Sequence, residues 1–405
     1  MMKTVHNKNK YMIKVETFPA NNGDCFLVHT PDGVILIDCG YVNTYKDHLK
    51  PVLEKLHAED KKILRFIITH IDEDHIQGAL TFLSDNGDAK SPRVIRIDQI
   101  WHNSYRHLQV DKLEGKIQED AMALLTSTIK EIEHKVEKQV SGRQGSSLAG
   151  LILKNNYNWN TDFREAACSI DYFSEITVNE QIKFELLSPT VKALEKLERH
   201  WRKELIKLGF REQITKEEIF DDAFEFMLKL NKEEPNENSS QPASSGEIDI
   251  EALKKKAVML DTSPKNGSSI AFILNAYGKK MLFLGDALPR IIDEEMEKRC
   301  KDLTGPLRFD LIKLSHHGSF ANNSPNLFEL TDSSRYLIST NGLSSPHPDK
   351  QTLAWIIGRP TVETREIYFN YENEGYKLMD NETLKNKYTF LPILADKPEN
   401  RNITL

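Results

Sequence analysis

Apolar and polar residues alternate along the chain in a way that predicts short strands separated by helices. Residues 11–40 contain three β-rich runs with tight turns at 21–24 and 31–33, which is typical of a meander of strands. A mostly apolar run at 64–69 lies between helical segments and indicates a strand buried on both faces. Comparable runs recur later, and polar residues follow each of them: 94–100, 180–188, 269–274, 280–284, 311–314 and 336–339. A helix is expected to start at Gly78. The pattern predicts an α/β fold whose chemistry lies at one edge of its sheets.

Two stretches interrupt this pattern. Residues 105–178 and 191–262 carry many charges, with apolar positions three or four residues apart, and this predicts helical insertions, with a helix at 111–140 in the first. Within the second, residues 233–247 have almost no apolar side chain, which predicts a mobile segment that would suit a hinge. The insertion 191–262 is a possible lid. The segments that remain are the predicted halves of the sheet-bearing core and a C-terminal extension: 11–104, 179–190, 263–360 and 361–405.

Composition limits the classes of function. The net charge is -7, so contact with nucleic acid would depend on a local basic patch or on metal ions. The four cysteines form no C-x-x-C pair, which argues against a thiolate zinc site and fits a reducing compartment. We find neither a secretory signal nor an apolar run of the roughly 18 residues that span a bilayer. We therefore expect a cytoplasmic protein without membrane contact.

The densest group of chemically active side chains follows the apolar run at 64–69. Four potential metal ligands lie within six residues: His70, Asp72, Asp74 and His75. Imidazoles and carboxylates at this spacing suit borderline or hard divalent cations such as zinc or manganese. A tight loop can direct His70 and Asp72 toward one cation, and Asp74 and His75 toward a second.

Further candidates follow the later apolar runs. Asp286 comes after four apolar residues and a glycine, where a buried carboxylate is costly without a partner and a metal is a suitable one. His316 and His317 precede a glycine that lets the backbone approach closely. His347 lies between two prolines in a rigid loop. We expect these side chains to converge with the first group.

Eight short motifs occur in a fixed order along the chain: Gly23-Asp24, Leu36 to Gly40, Thr69 to Gly78, Leu186 to Pro189, Asn266 to Ser269, Phe283 to Asp286, Ser315 to Ser319, and Ser339 with Asn341 followed by His347-Pro348. This order resembles the metallo-β-lactamase superfamily, and within it the branch that contains the hydrolase domain of ComEC-type DNA-uptake proteins. The resemblance covers roughly 12–100, 180–190 and 265–357. It implies an αββα sandwich with helical insertions and a metal site between the sheet edges.

The resemblance also implies roles for the matching residues. The four ligands of the first group are carried over as they stand, Asp286 would bridge two cations, and His347 would be the last histidine ligand. His316 and His317 would line the site, one of them acting on the leaving group or the phosphoryl oxygens. Asp38 would orient the ligands of the first group by hydrogen bonding, without contacting a cation itself.

Two positions depart from the common pattern of the superfamily. Asp72 stands where many members have histidine, which is typical of the ComEC-like branch and favours harder ions such as manganese. Ser188 stands where many members have another histidine ligand, so one cation would lack a protein ligand. His102, which follows a predicted strand, is an alternative donor, although a structural or solvated histidine fits the sequence better.

We expect two divalent metal ions, zinc or manganese, to activate a water for attack on phosphorus or a carbonyl carbon. Asp74 would hold the nucleophile and His317 would protonate or shield the leaving oxygen. The favoured substrate is a phosphodiester, in nucleic acid or in a small molecule, with a local basic helix at 192–211 as support. One alternative is a hydrolase of a small ester, lactone or thioester. Another is a metal-binding partner module whose insertions dock a second protein.

Overall fold

The computed structural model describes residues 12–108, 147–207, 219–230 and 249–405, with isolated positions at 119, 123, 125–127 and 210. The predicted mobile segment at 233–247 lies outside the described residues, as does nearly all of the predicted helix at 111–140. In the described residues, no helix is long and apolar enough to cross a membrane.

The first sheet has six strands: β1 (Lys14–Thr17), β2 (Phe26–Thr30), β3 (Gly33–Ile37), β4 (Ile63–Ile67), β5 (Ile100–Trp101) and β16 (Asn402–Thr404). Their spatial order is β16-β1-β2-β3-β4-β5. Strands β1 to β3 form an antiparallel meander, whereas β3, β4 and β5 are parallel. The carboxyl ends of β3, β4 and β5 therefore meet at one edge of the sheet.

The second sheet has eight strands: β6 (Glu175–Thr177), β7 (Ile182–Ser188), β8 (Ala271–Ala276), β9 (Lys279–Phe283), β11 (Leu311–Lys313), β13 (Arg335–Ile338), β14 (Arg365–Phe369) and β15 (Phe390–Leu394). Their spatial order is β15-β14-β13-β11-β9-β8-β7-β6. From β9 to β15 the neighbours are parallel, so their carboxyl ends share an edge. A separate parallel pair joins β10 (Leu307–Phe309) to β12 (Thr331–Ser333).

Helices flank the sheets and also make up the insertions. A π-helix at Thr44–Leu49 runs directly into the first α-helix. The α-helices of the described residues are α1 (Lys50–Ala58), α2 (Glu73–Asn86), α3 (Leu148–Lys154), α4 (Val191–Lys207), α5 (Ile219–Leu230), α6 (Ile250–Lys254), α7 (Pro289–Cys300), α8 (Pro325–Leu330), α9 (Lys350–Ile357), α10 (Glu374–Met379) and α11 (Glu382–Lys387).

The buried apolar residues form three layers that follow from the period-two alternation of the strands. In β3, Ile35 and Ile37 belong to the cluster between the two sheets, together with Phe272 of β8. The intervening Leu36 faces the opposite way and packs with α1 and α2. A third cluster joins the outer face of the second sheet to α7, α8 and α9. This is the helix–sheet–sheet–helix order that the sequence predicts.

Two sequence predictions need correction. The strand expected at 94–100 is reduced to Ile100–Trp101, because the Asn86 side chain accepts the backbone N–H groups of Val94 and Ile95 and replaces ladder bonds there. Helix α2 begins at Glu73 and not at Gly78. The C-terminal extension supplies peripheral strands to both sheets, since β15 is the outer strand of the second sheet and β16 pairs with β1 at the edge of the first.

Candidate metal centre

The candidate centre lies where the carboxyl ends of the two sheets meet. Asp38 follows β3, and His70 follows the neighbouring parallel strand β4. Across the gap, Asp286 follows β9 and the His316-His317 pair follows β11. Backbone bonds join the two edges, for example from Ile270 N to Thr69 O at 2.9 Å. The sandwich thus brings together side chains that are far apart in sequence.

Four imidazoles surround one carboxylate oxygen. The Oδ2 atom of Asp286 lies 3.6 to 3.9 Å from the Nε2 atoms of four histidines: His70 at 3.6 Å, His75 at 3.7 Å, His316 at 3.8 Å and His317 at 3.9 Å. These distances are too long for direct hydrogen bonds. The spacing instead leaves room for ions that Asp286 and the imidazoles would share, since ligand bonds to such ions are near 2 Å.

The His75 ring is oriented by Asp38. Its Nδ1 donates to Asp38 Oδ2 at 2.8 Å, because a carboxylate can only accept, so Nδ1 keeps its proton and Nε2 is the nitrogen that would bind a cation. Thr69 fixes Asp38 in turn, through its backbone N–H and its hydroxyl, each at 2.8 Å. The Thr69 hydroxyl also lies 3.1 Å from Nδ1 of His70. These contacts are compatible with the supporting role expected for Asp38, which stays a prediction.

The two histidines after β11 also point their Nε2 atoms inward. Nδ1 of His317 donates to the Ser339 carbonyl at 2.8 Å, and Nε2 lies 3.5 Å from Asp74 Oδ2. Nδ1 of His316 contacts Asn322 Oδ1 at 2.9 Å. Both histidines have positive φ, 43° and 57°, a conformation that non-glycine residues adopt mainly where the surrounding structure requires it. This backbone conformation directs both imidazoles toward the centre.

Asp74 is held from its outer side by the meander between β1 and β2. Asn22 Nδ2 donates to Asp74 Oδ2 at 2.9 Å, and the Tyr41 hydroxyl donates to Asn22 Oδ1 at 3.0 Å. Gly23 permits this approach, because a Cβ there would lie 1.9 Å from the Asp74 carbonyl oxygen. Asp74 therefore has one oxygen bonded to Asn22, and its Oδ1 lies 3.9 Å from His75 Nε2.

The residues present fit divalent cations. Buried Nε2 atoms of His70 and His75 and the buried Oδ1 of Asp286 have no hydrogen-bond partner, and such atoms are costly unless something else binds them. Among the described residues, four groups of three ligand atoms lie close enough to hold an ion. They are His70-His75-Asp286, Asp74-His75-His317, Asp286-His316-His317 and Asp24-Asp38-His75. Imidazole with carboxylate is a donor set that zinc and manganese accept.

The electrostatic field of the centre attracts positive charge. Burial raises the pKa of Asp286, but the four surrounding histidines hold it well below its usual range. Burial lowers the pKa of His317, yet Asp286, Asp24 and Asp74 together raise it to about 9. The pKa of His75 is raised well above its usual value for the same reason, with Asp38 the strongest of the opposing carboxylates. An electrostatic field that favours protons on the imidazoles also favours a divalent cation in the place of those protons.

Three of the predicted site residues have surroundings that differ from those expected from the sequence. His347 packs its ring against His316 at 5.5 Å between centroids and faces Asp349, and the four groups above do not include it. Asp72 contacts His70 Nε2 with one oxygen at 3.7 Å, while its other oxygen lies 3.5 Å from Lys265 Nζ. His317 lies among the candidate ligands, although the sequence suggested a catalytic role. The ligand roles of His347 and Asp72 stay predictions.

The two positions considered for a missing ligand have other surroundings. Ser188 ends β7 opposite Ala271, and its buried hydroxyl has no hydrogen-bond partner. His102 follows β5, but its Nε2 faces Glu225 Oε1 of α5 at 3.5 Å. His102 therefore contacts the insertion, and the four groups of candidate ligands do not contain it.

Sequence reasoning assigned no role to two buried charges beneath the centre. Lys313 forms an ion pair with Asp24, and both side chains are 1% exposed. Asp24 Oδ1 also lies 3.6 Å from His317 Nδ1. Burial raises the pKa of Asp24, but Lys313 and His317 lower it to about 2. The signal available was the lysine inside the apolar run at 311–314, since a lysine at a fully buried strand position needs a carboxylate partner.

Comparison with known families agrees with this geometry. Residues 19–141 match the family model of the metallo-beta-lactamase superfamily. Over these residues the chain is therefore similar to a superfamily of metal-dependent hydrolases. The predicted fold class is confirmed by this match and by the two sheets with their flanking helices. A search of curated proteins found no match to the chain.

Proposed function

We propose that the protein is a hydrolase that uses two divalent cations to cleave phosphodiester bonds, in nucleic acid or in a small molecule. The observation that carries the proposal is the convergence of four Nε2 atoms on Asp286 Oδ2. One cation would be held by His70, His75 and Asp286, with Asp72 beside it. The second would be held by Asp74, His317 and Asp286. Bound cations would supply an activated water and stabilise the negative charge of the transition state.

The remaining groups have supporting roles in this proposal. Asp38 and the Ser339 carbonyl each hold the Nδ1 proton of His75 and His317, so that a cation would replace the proton at Nε2 of each ring. His316 is the most exposed of the four histidines, with 26% of its side chain accessible. It is the residue best placed to give a proton to a leaving oxygen that arrives from solvent. His317 is assigned to cation binding, which revises the role expected from sequence.

The charges on helix α4 give partial support for a polyanionic substrate. Six basic side chains on it are exposed: Lys192, Lys196, Arg199, Arg202, Lys203 and Lys207. Three of the six are paired with glutamates of the same helix, Arg199 with Glu195, Arg202 with Glu198 and Lys207 with Glu204. The other three leave a modest positive surface, so we expect electrostatic attraction to nucleic acid that weakens steeply with salt.

The proposal is tested by assaying the full chain with bis(p-nitrophenyl) phosphate, single-stranded DNA, a homoserine lactone and a thioester, each with manganese or zinc. We expect cleavage of the phosphodiesters, abolished by a chelator and restored by metal. DNA cleavage should fall as salt increases. Hydrolysis of the lactone or thioester without phosphodiester cleavage would reject the phosphodiester assignment and leave the metal-dependent hydrolase in place.

A further inference from the structure

Lys265 places a positive charge at the edge of the candidate metal centre. Lys265 is 6% exposed, and its Nζ lies 3.5 Å from Asp72 Oδ1. The other carboxylate oxygen of Asp72 lies 3.7 Å from His70 Nε2. One carboxylate thus separates the ammonium from the His70 imidazole. The superfamily match, which ends at residue 141, does not reach Lys265.

The backbone that carries Lys265 is fixed from both sides. The carbonyl of Lys265 accepts from the backbone N–H of Ser268 at 2.9 Å and from its hydroxyl at 2.6 Å. The next residue, Asn266, donates through Nδ2 to Asp261 Oδ2 at 2.8 Å. A side chain on such a support keeps its position with little loss of entropy on binding, which is what recognition of a substrate requires.

The comparison with Lys313 shows that the two buried lysines have different surroundings. Lys313 and its partner Asp24 are each 1% exposed, so that ion pair is sealed beneath the centre. The Lys265 side chain is 7% exposed and that of Asp72 is 21% exposed, whereas Asp286 is 4% exposed. Asp72 is therefore the accessible member of the pair, and a substrate that reaches Asp72 from solvent would meet the buried Lys265 beside it.

An ammonium in this place opposes cation binding by Asp72, because like charges repel. It favours an anionic ligand instead. Two divalent cations together with Lys265 would outweigh the charges of Asp38, Asp72, Asp74 and Asp286 by one, and an anionic group of the substrate would balance the excess.

We propose that Lys265 is a specificity-determining residue that binds the anionic oxygen of the substrate beside Asp72. The inference rests on the proposed function and deepens it: Lys265 selects substrates with a negative charge next to the scissile bond. The ligand class is a phosphoryl or other oxyanion group, and the ammonium recognises it by a charge-assisted hydrogen bond.

The test uses the full chain loaded with manganese and inorganic phosphate as the probe, followed by calorimetry. We expect Lys265→Met and Lys265→Gln to weaken phosphate binding about tenfold or more, the effect of losing one hydrogen bond to a charged group. Lys265→Arg should stay within a few-fold of the wild type. The matched control is Lys279→Met, since Lys279 pairs with Asp310 at 3.3 Å at the opposite end of β9. Metal content should be the same in all variants.

Equal phosphate affinity in the wild type and the folded Lys265 variants would overturn the inference, and so would a wild type that binds no phosphate. Loss of metal from both neutral variants would also overturn it, because Lys265 would then act only by holding Asp72. The two proposals remain separable. If the wild type cleaves no phosphodiester but phosphate binding depends on Lys265, the proposed function fails alone. If the KM for phosphodiesters and the affinity for phosphate are unchanged in Lys265→Gln, only the role proposed for Lys265 is rejected.

Discussion

Two clusters of buried histidine and carboxylate follow strands of the first sheet, and they differ in what their polar atoms already bind. In the metal centre, Asp38 fixes Nδ1 of His75, and the buried Nε2 of that ring has no hydrogen-bond partner. Beside the insertion, Nε2 of His102 faces Glu225, whose oxygens also accept the backbone N–H groups of Leu148 and Ala149.

The difference shows why burial of a histidine beside a carboxylate does not define a metal site. Glu225 uses its oxygens to satisfy the N-terminal N–H groups of α3, so its charge stabilises the docking of α5 onto that helix. Asp286 has one oxygen without any hydrogen bond and the other surrounded by imidazoles. Nδ1 of His102 also has no hydrogen-bond partner, so one unsatisfied nitrogen does not define a metal site. The convergence of several imidazoles on Asp286 distinguishes the cluster that fits cations.

The largest effect is expected at the metal centre itself. Replacing His75 with alanine removes an imidazole that three of the four candidate ion groups share, so turnover should fall to background. Rates are measured with the substrate identified by the screen above. His102→Ala is the control, because it removes an equally buried histidine outside the centre, and it should retain turnover if folded. Equal losses in both variants would remove the distinction between the clusters.

A smaller effect is expected when the support of His75 is changed. Asp38→Asn keeps the size of the side chain but removes the charge that orients the ring, and such changes typically cost about 10- to 100-fold in metal affinity. Competition with a fluorescent chelator measures that affinity. An Asp38→Asn protein that binds metal as tightly as the wild type would show that the hydrogen bond does not orient His75 for binding.

The metal-free protein should have a pH optimum of stability set by this centre. The pKa of His317 is raised to about 9 from 6.5, so its protonation stabilises the fold fully below pH 6.5, and this contribution is lost as the pH rises toward 9. The pKa of Asp24 is lowered from 3.8 to about 2, so its contribution is lost as the pH falls from 3.8 toward 2.

Urea unfolding of chelator-treated protein measures both limbs of this dependence. We expect a higher midpoint at pH 5.5 than at pH 9, and His317→Gln should reduce that difference. Identical midpoints at the two pH values would show that the carboxylates around His317 do not raise its pKa as described.

The smallest effect is expected in the second cluster. Glu225→Gln keeps one acceptor oxygen but turns the other into a donor facing N–H groups, which should cost about 1–3 kcal/mol of unfolding free energy. Metal content should not change. Denaturant unfolding of the two metal-loaded proteins measures the loss, and a parallel loss of metal would mean that the insertion and the centre are one cooperative site.

Local sequence patterns predicted most of the centre because its residues follow parallel strands. The group at 70–75, Asp286 and the His316-His317 pair all come directly after apolar runs, and parallel strands end at the same edge. The role of Asp38 and the order of the layers came from the resemblance to the superfamily, because β3 is apolar throughout and its sequence does not show which side chains face which layer.

The remaining contacts join residues that no local pattern connects. The pairs Asp24–Lys313 and Asp72–Lys265 depend on how the two sheets approach each other. The roles of Asn22 and Tyr41 depend on the meander that packs against Asp74. The strand expected at 94–100 is short because a single side chain, Asn86, competes for its backbone, and that competition appears only in the folded chain.

The most direct test of the central claim is elemental analysis of the purified full chain and two variants, His75→Ala and His102→Ala, after manganese or zinc loading and removal of free ions. The account predicts bound divalent metal in the wild type, at up to two ions per chain, a clear loss in His75→Ala, and unchanged content in His102→Ala. A wild type without bound metal would contradict it, and so would metal that is lost with His102 and kept without His75.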